Sequence, residues 1–272
     1  MPELPEVETT CRGLAPYLEG RRVEQVRVHD GRLRWPVPED LGQRMTGSRL
    51  LRLQRRAKYL LFHFDLGVLI GHLGMSGSFR LVPQSEARMT HDHVVIRFEG
   101  APELRLNDPR RFGSLHWTAA EDYEDHFLIQ HLGPEPLGEA FSGGYLHRAA
   151  RGRRAPIKAF LMDARVVVGV GNIYANEALF RAGIHPLRAA GRIGRGRFDR
   201  LAENVREVLA AAVAMGGTTL RDFVGGDGKP GYFKQSLDVY GRGGEACRRC
   251  GAALREVRLS QRTTVYCPSC QR

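Results

Sequence analysis

The chain begins with residues that could act together on a sugar. Pro2 and Glu3 follow Met1, and a second carboxylate, Glu6, comes three residues later. If Met1 is removed, Pro2 becomes an N-terminal secondary amine. Because the pKa of an α-amino group is roughly 7.7–8.0, a usable fraction is unprotonated at neutral pH. Such an amine attacks an aldehyde carbon to give an iminium ion, and Glu3 could protonate the ring oxygen of an opening sugar.

These residues stand directly before a predicted helix. Apolar residues recur at spacings of three and four over residues 4–18, which places them on one buried stripe, and Pro5 suits a first helical turn. Glu6 has two interpretations: an ordinary capping carboxylate, or a group that orders Glu3 and the terminus. Cys11 lies on the stripe and is predicted to be a small core residue.

Four of the five cysteines lie near the C-terminus at a spacing typical of a structural zinc site. The pattern is Cys247-x2-Cys250-x16-Cys267-x2-Cys270. We expect one zinc ion held by all four thiolates, with no open position for catalysis. Seven arginines against two glutamates give residues 240–272 a net charge of +5. We place the tip of this hairpin at residues 261–264.

Composition indicates a polyanionic partner and no membrane. The 272 residues carry a net charge of +11 with a pI near 9.9, which is the electrostatic footprint of a nucleic-acid-binding protein. No apolar run approaches the length of a membrane span and no signal peptide is visible, so we expect a cytoplasmic protein. Arginine dominates the basic residues, and the lysines therefore stand out as suited to chemistry that guanidinium cannot do; they are Lys58, Lys158, Lys229 and Lys234.

The order of the elements indicates an α+β protein. Short β-rich runs separated by Gly, Pro and Asp turns are typical of a sandwich or barrel; they lie at residues 23–29, 48–55, 59–64, 68–72, 78–81, 93–98, 103–106 and 114–117. A polar linker follows, and the period then becomes helical, at residues 145–151, 157–163, 172–182 and along an apolar stripe over 198–212. The predicted architecture is an N-terminal helix with a β-sandwich, a helical domain and a four-cysteine zinc hairpin.

Three turns carry residues suited to DNA. Met75 lies between glycines in HLGMSG, and Phe112 follows two arginines in NDPRRFG. Enzymes that act on a base extrude it from the duplex, and apolar side chains pushed between base steps assist that unstacking; the alternative is that these side chains fold back into the protein. The turn at Gly169–Gly171 delivers Asn172 to a predicted helix N-cap, which is either an anion site or a tight turn between helices.

The N-terminal PELPEVET and the later GVGNIYANEAL resemble the bacterial formamidopyrimidine-DNA glycosylases, and the resemblance covers essentially the whole chain. These enzymes excise 8-oxoguanine and ring-opened purines and then cut the strand. The resemblance implies a monomer acting on damaged double-stranded DNA, with GVGNIYANEAL as a helix-two-turn-helix element that grips phosphate. It implies five segments: the catalytic domain at 1–117, a linker at 118–135, the helix-two-turn-helix domain at 136–225, a lesion-recognition loop and connector at 226–240, and the zinc hairpin at 241–272.

The same resemblance assigns roles to single residues. Pro2 is the nucleophile, Glu3 the acid, and Glu6 orders them. Lys58 contacts phosphate and assists elimination. Arg262 is assigned to the catalytic residues, and it binds the phosphates that flank the lesion. Met75, Arg110 and Phe112 fill the vacated space, with Arg110 facing the orphaned cytosine. The other implied DNA-binding residues are His91, Arg153, Lys158, Asn172 and Tyr240.

Two alternatives remain open. The endonuclease VIII branch of the same superfamily prefers oxidised pyrimidines. The PELPEVET start, the long loop at 216–240, and Met75 and Phe112 as two separate wedges between bases favour the purine branch. A zinc-ribbon DNA-binding protein without catalysis would explain the basic charge and the cysteines. It would leave the Pro-Glu terminus unexplained.

Overall fold

The structure is a computed structural model that describes residues 2–217 and 236–272. These residues form two compact units, one of residues 2–130 with 215–217 and one of residues 131–214 with 236–272. Most of the predicted lesion-recognition loop lies outside the described residues, as do Lys229 and Lys234. None of the helices in the described ranges is long and apolar enough to cross a membrane.

The first unit is a β-sandwich with an N-terminal helix, as the sequence predicts. Helix α1 is Leu4–Leu18, and the strands are β1 (Val23–Val28), β2 (Leu50–Arg56), β3 (Tyr59–Phe64), β4 (Gly67–His72), β5 (Ser78–Val82), β6 (Asp92–Phe98), β7 (Glu103–Asn107) and β8 (Ser114–Thr118). Two antiparallel four-stranded sheets have the orders β1-β6-β7-β5 and β2-β3-β4-β8. A short helix, α2 (Leu41–Met45), was not predicted because five residues are too few to display a helical period.

One hydrophobic core holds this unit together. It is built from the apolar stripe of α1 and from the alternate, inward-facing residues of both sheets. Cys11 is 7% exposed within this core, as predicted. Burial is the main cause that raises the pKa of its thiol to about 12, so Cys11 is an inert packing residue.

The second unit combines helices with a two-stranded hairpin. Its helices are α3 (Gly143–Ala149), α4 (Ile157–Leu161), α5 (Asn172–Arg181) and α6 (Arg195–Ala214), with a 3₁₀ turn at Ala190–Arg192. The long helix α6 buries the predicted stripe and packs against α3 and α5. The hairpin is formed by β9 (Arg255–Leu259) and β10 (Arg262–Tyr266), which pair antiparallel.

The hairpin turn differs from the sequence prediction. Its two central residues are Ser260 and Gln261, both in the left-handed region with φ of 47° and 65°, as a two-residue turn of type I′ requires. Arg262 therefore opens β10, opposite Leu259, and the tip does not extend over residues 261–264. The sequence lacks the Asn-Gly or Asp-Gly pair that normally marks this turn, which explains the displacement.

Candidate active site and DNA-contact residues

The N-terminal carboxylates form a capping box at the start of α1. Glu3 is the N-cap residue, its backbone N–H donates to Glu6 Oε2 at 2.8 Å, and the Glu3 carboxylate accepts the backbone N–H of Glu6 in return. Glu3 is 2% exposed and Glu6 is fully buried, and Pro2 is buried beside them. Glu6 thus caps the helix and holds the backbone of Glu3 at the same time. Both interpretations of Glu6 therefore hold in this geometry: it is a capping carboxylate, and it orders the backbone of Glu3.

Lys58 lies in the two-residue turn between β2 and β3, after Ala57 in the left-handed region with φ 55°. Its neighbour is His72 at the end of β4, which pairs with Tyr59; the motif HLGMSG begins with His72 but gives no sign of its role. Burial, together with the positive charges of Lys58 and Arg34, lowers the pKa of His72 to about 4. His72 Nδ1 accepts the backbone N–H of Gly74 at 3.0 Å. The neutral ring therefore ties the end of β4 to the loop that carries Met75.

The two predicted wedges are both exposed. Met75 is 38% exposed and Phe112 is 44% exposed, and the Arg110 guanidinium lies over the Phe112 ring at 5.0 Å. The loops touch through their backbones: at Gly74, with φ +63°, a Cβ would collide with the backbone of Phe112. The two apolar tips therefore lie on neighbouring loops and are not folded into the core.

His91 is exposed and immediately precedes β6. It adopts φ 73°, which is uncommon for any residue other than glycine. Its carbonyl accepts the backbone N–H of Asp108 at 3.1 Å, so the position of His91 depends on the same loop that carries Arg110 and Phe112.

In the second unit, Lys158 is 1% exposed. Its ammonium donates to Asn172 Oδ1 at 2.6 Å, Thr264 Oγ1 at 2.7 Å and the Thr263 carbonyl at 3.2 Å. The structure thus makes Lys158 a link between α4, the start of α5 and β10. A direct contact of Lys158 with DNA stays a prediction.

The cap of helix α5 lies one residue earlier than predicted, because Gly171 is the N-cap and Asn172, the predicted cap, is the first helical residue. Asn172 Nδ2 donates to the Thr263 carbonyl at 3.2 Å, so this side chain faces the hairpin and does not cap its own helix. One turn further, Asn176 Oδ1 accepts the backbone N–H of Val265 at 3.0 Å. The glycine turn therefore positions a helix whose amide side chains hold β10.

Glu177, also on α5, fixes the connector before the zinc module. Its carboxylate accepts the backbone N–H groups of Asp238, Val239 and Tyr240 at 2.8, 2.9 and 2.8 Å. Burial raises the pKa of Glu177, and these three hydrogen bonds oppose that shift. Tyr240 is thereby placed by Glu177, whose role the motif GVGNIYANEAL does not indicate.

The remaining two predicted contacts of this unit are arginines at its surface. Arg262 is exposed at the start of β10, and Arg153 is exposed between α3 and α4. Both guanidinium groups are therefore accessible to an anion.

The four cysteines fit one zinc ion. Their Sγ atoms all lie within 4.8 Å of one another, and Cys250 and Cys267 Sγ are 3.5 Å apart. A tetrahedral site with Zn–S bonds of about 2.3 Å puts its sulfurs about 3.8 Å apart. The backbone N–H of Arg249 donates to Cys247 Sγ, and that of Cys270 donates to Cys267 Sγ, each at 3.4 Å, as around thiolate ligands. The group is one structural zinc site.

Comparisons with known proteins agree with this geometry. Family models for the formamidopyrimidine-DNA glycosylase N-terminal domain, its H2TH domain and the zinc finger found in FPG and IleRS match residues 1–115, 132–224 and 244–272. The formamidopyrimidine-DNA glycosylase of Methylococcus capsulatus is 61% identical over 272 residues, all of both chains.

Solved structures are similar over the same length. The Lactococcus lactis enzyme, a G226P mutant in complex with DNA containing Fapy-dG, matches with a TM-score of 0.93 and 33% identity over all of both chains. The Thermus thermophilus protein matches with a TM-score of 0.89 and 42% identity over 99% of this chain and 98% of that one. This chain therefore belongs to the formamidopyrimidine-DNA glycosylase family, whose members are DNA glycosylases and abasic-site lyases that repair oxidised purines.

Proposed function

We propose that this chain removes 8-oxoguanine and ring-opened purines from double-stranded DNA through a Schiff base on Pro2 and then cuts the strand on both sides of the sugar. The observation that carries the proposal is the buried group at the start of α1. There Glu6 holds the backbone of Glu3, and Glu3 directly follows Pro2. A nucleophile and an acid are thus attached to one rigid helix end, and proximity of this kind supplies much of the rate in enzymes.

The first reaction releases the base. The Pro2 nitrogen attacks C1′ of the damaged nucleoside, the glycosidic bond breaks, and the base departs with its bonding electron pair and takes up the proton that the Pro2 nitrogen gives up. Glu3 protonates the ring oxygen O4′, so the sugar opens and the nitrogen lone pair forms the C1′=N⁺ iminium. The step balances without an oxidant, because Glu3 supplies the proton for O4′, the Pro2 nitrogen supplies the proton for the base, and the electron pairs come from the amine and the broken bonds.

The second reaction cuts the strand. The iminium acidifies the hydrogens on C2′, loss of one of them expels the 3′ phosphate, and a further elimination expels the 5′ phosphate. Lys58 supports these steps by placing a positive charge near the departing phosphates. Its neighbour His72 accepts the N–H of Gly74 through Nδ1 and so keeps the Met75 loop attached to the strand that ends beside Lys58.

The basic surface holds the duplex. In the second unit, the exposed Arg153 and Arg262, with Asn172, bind DNA phosphates. In the first unit, the exposed His91 binds the DNA backbone. Met75 and Phe112 occupy the space that the extruded base leaves, with Arg110 facing the orphaned cytosine. Phosphate contacts of this kind set position and affinity, whereas the wedges act on the stacked bases.

Zinc has a structural part in this proposal. Four cysteine ligands complete its tetrahedral shell, so the ion stabilises the fold of the hairpin and takes no part in the chemistry. We propose that the protein acts as a monomer in the bacterial cytoplasm, where its DNA substrate lies.

Borohydride trapping tests the proposal. A duplex with 8-oxoguanine opposite cytosine is incubated with the protein, and hydride added to the iminium leaves a covalent protein–DNA adduct that a denaturing gel resolves. The control chain keeps one additional residue before Pro2, which removes the secondary amine; it should give no adduct. Absence of an adduct with the processed chain would favour binding without catalysis. Faster excision of an oxidised pyrimidine than of 8-oxoguanine would assign the chain to the pyrimidine branch.

A further inference from the structure

The loops that carry the predicted DNA-contact residues of the first unit converge on one buried carboxylate. Asp108 is fully buried, in the turn between β7 and β8. Its Oδ1 accepts the hydroxyl of Ser76 at 2.8 Å and its Oδ2 accepts the backbone N–H of Gly113 at 2.7 Å. Ser76 is the residue after Met75, and Gly113 is the residue after Phe112. Each carboxylate oxygen of Asp108 therefore accepts a hydrogen bond from the residue that follows one wedge.

Ser76 strengthens the same connection. Its Oγ also accepts the backbone N–H of Arg110 at 3.3 Å, so one hydroxyl bridges the Met75 loop to two points of the other loop. The atoms around these hydrogen bonds are closely packed. A Cβ added at Gly113 would lie 2.8 Å from the His72 carbonyl oxygen and 3.0 Å from Asp108 Oδ2, so there is no room for a side chain. The two loops are thus held at one spacing by directional bonds.

The backbone of Asp108 holds two left-handed residues. Its N–H donates to the carbonyl of His91, and its carbonyl accepts the N–H of Arg111, each at 3.1 Å. His91 and Arg111 have φ of 73° and 57°, conformations that persist only where the surroundings impose them. The Asp108 carbonyl also lies 2.9 Å from His93 Nε2, and because a carbonyl can only accept, that nitrogen carries the proton.

We propose that Asp108 is the positioning residue for base extrusion: it fixes the relative placement of Met75, His91, Arg110 and Phe112 without touching DNA. This inference rests on the proposed function, since it assigns the wedges a reason to be rigid. A wedge contributes to unstacking only if its tip is already in place, because ordering a mobile loop during binding would offset the gain. Neither NDPRRFG nor HLGMSG indicates this from sequence, because Asp and Ser are ordinary turn residues.

Three variants and a control test the proposal. Asp108→Ala removes both side-chain bonds, and Ser76→Ala removes the bridge alone. Asp108→Asn keeps an acceptor for one bond, while its amide group can donate to Ser76 Oγ, so it should rescue. The control is Glu103→Gln, which alters another buried carboxylate of the same unit, 2% exposed, that pairs with Arg97 and Arg105. Thermal unfolding establishes a temperature at which every variant used is folded.

Three readouts separate positioning from stability. They are single-turnover release of 8-oxoguanine opposite cytosine, the ratio of release opposite cytosine to release opposite adenine, and borohydride trapping on a preformed abasic site, which has no base to extrude. Asp108→Ala should lower release by about 10²-fold, as misplacement of about 1 Å does in other enzymes, and should lower the cytosine-to-adenine ratio. Trapping on the abasic duplex should be unchanged. Ser76→Ala should show the same pattern more weakly, and Glu103→Gln should match the unaltered chain.

The outcomes are distinct. If the unaltered chain releases 8-oxoguanine and both Asp108→Ala and Ser76→Ala release it equally fast, the inference is wrong and the proposed function stands. Equal losses on the lesion and abasic duplexes would also overturn it, because they would indicate general loss of structure. If Asp108→Ala does not fold, Ser76→Ala decides between these results. If the unaltered chain releases no 8-oxoguanine, the proposed function fails and the inference fails with it.

Discussion

Glu3 and Pro2 stand next to each other, yet their proposed tasks require different substrates. An abasic site already offers an aldehyde, so its cleavage needs the Pro2 amine but no protonation to expel a base. Release of an intact damaged base needs both groups. Because Glu3 is held through its backbone by Glu6, its side chain can be altered while the helix start remains ordered.

We therefore expect Glu3→Gln to separate the two steps. The glutamine oxygen can still accept the backbone N–H of Glu6, which preserves the capping box, but an amide cannot supply the proton. Release of 8-oxoguanine should fall by about 10²–10⁴-fold, the usual contribution of a positioned general acid, whereas cleavage of an abasic duplex should largely survive. Paired single-turnover rates on the two duplexes measure this. Equal loss on both would show that Glu3 acts in Schiff-base formation or in folding the terminus.

His72 gives a pH dependence to the stability of the first unit. Its folded-state pKa is lowered from 6.5 to about 4, mainly by burial, so the folded state favours the neutral ring. The stability that this ring contributes is fully present above pH 6.5 and is lost as the pH falls from 6.5 through about 4. We expect urea unfolding to show a smaller loss over that window for His72→Gln, whose side chain stays neutral. The exposed His91→Gln is the control and should behave as the unaltered chain does; identical pH profiles for all three proteins would contradict the prediction.

Among the elements, α5 has the widest set of tasks in the second unit. Asn172 and Asn176 bond β10, and Glu177 bonds the connector at residues 238–240. Asn172 and Asn176, four residues apart, lie on one face of the helix, and Glu177 points about 100° around the axis from Asn176. The same helix therefore supports both the exposed start of β10 at Arg262 and the placement of Tyr240.

The proposed phosphate contacts of α5 and β10 should be visible in the salt dependence of DNA binding. Arg262→Ala and Asn172→Ala should weaken binding to damaged and undamaged duplex alike, because phosphate contacts carry no sequence information. Arg262→Ala should also lower the salt slope by about one unit. Arg258→Ala, which removes an exposed charge from the neighbouring strand β9, should change the slope less. Titrations at several salt concentrations measure this, and an effect confined to the choice of lesion would exclude the phosphate assignment.

The sequence predicted those elements that have a clear period. All eight strands of the sandwich and the longer helices could be placed because alternation, helical stripes and turn residues agree locally. It did not reveal α2, which is too short, or the start of β10 at Arg262, whose turn lacks the usual residues. The burial of Lys158 was also hidden, since its partners Thr263 and Thr264 lie more than a hundred residues away in sequence and only tertiary structure brings them together.

At the scale of the whole chain, the first unit and the zinc module within the second unit differ in what stabilises them. The first unit has a continuous core from α1 and both sheets. The zinc module has only a small apolar cluster, in which Phe180 of α5 and Val239 pack with Leu254, Val265 and the buried ligands Cys247 and Cys267. A module with so little core depends on its metal for folding free energy.

Zinc removal should therefore act on one part of the molecule. Chelation, or Cys250→Ser, should unfold residues 247–270 and abolish duplex binding, because Arg262 and the bonds from Asn172 and Asn176 to β10 depend on the hairpin. The first unit should stay folded, since its core uses no residue of the zinc module. Cys11→Ser is the matched control: it alters a buried cysteine outside the site and should retain one zinc per chain. Hydrogen exchange resolved by segment, zinc analysis and duplex titration test this together; unchanged affinity after verified loss of zinc would show that the hairpin is not needed to hold DNA.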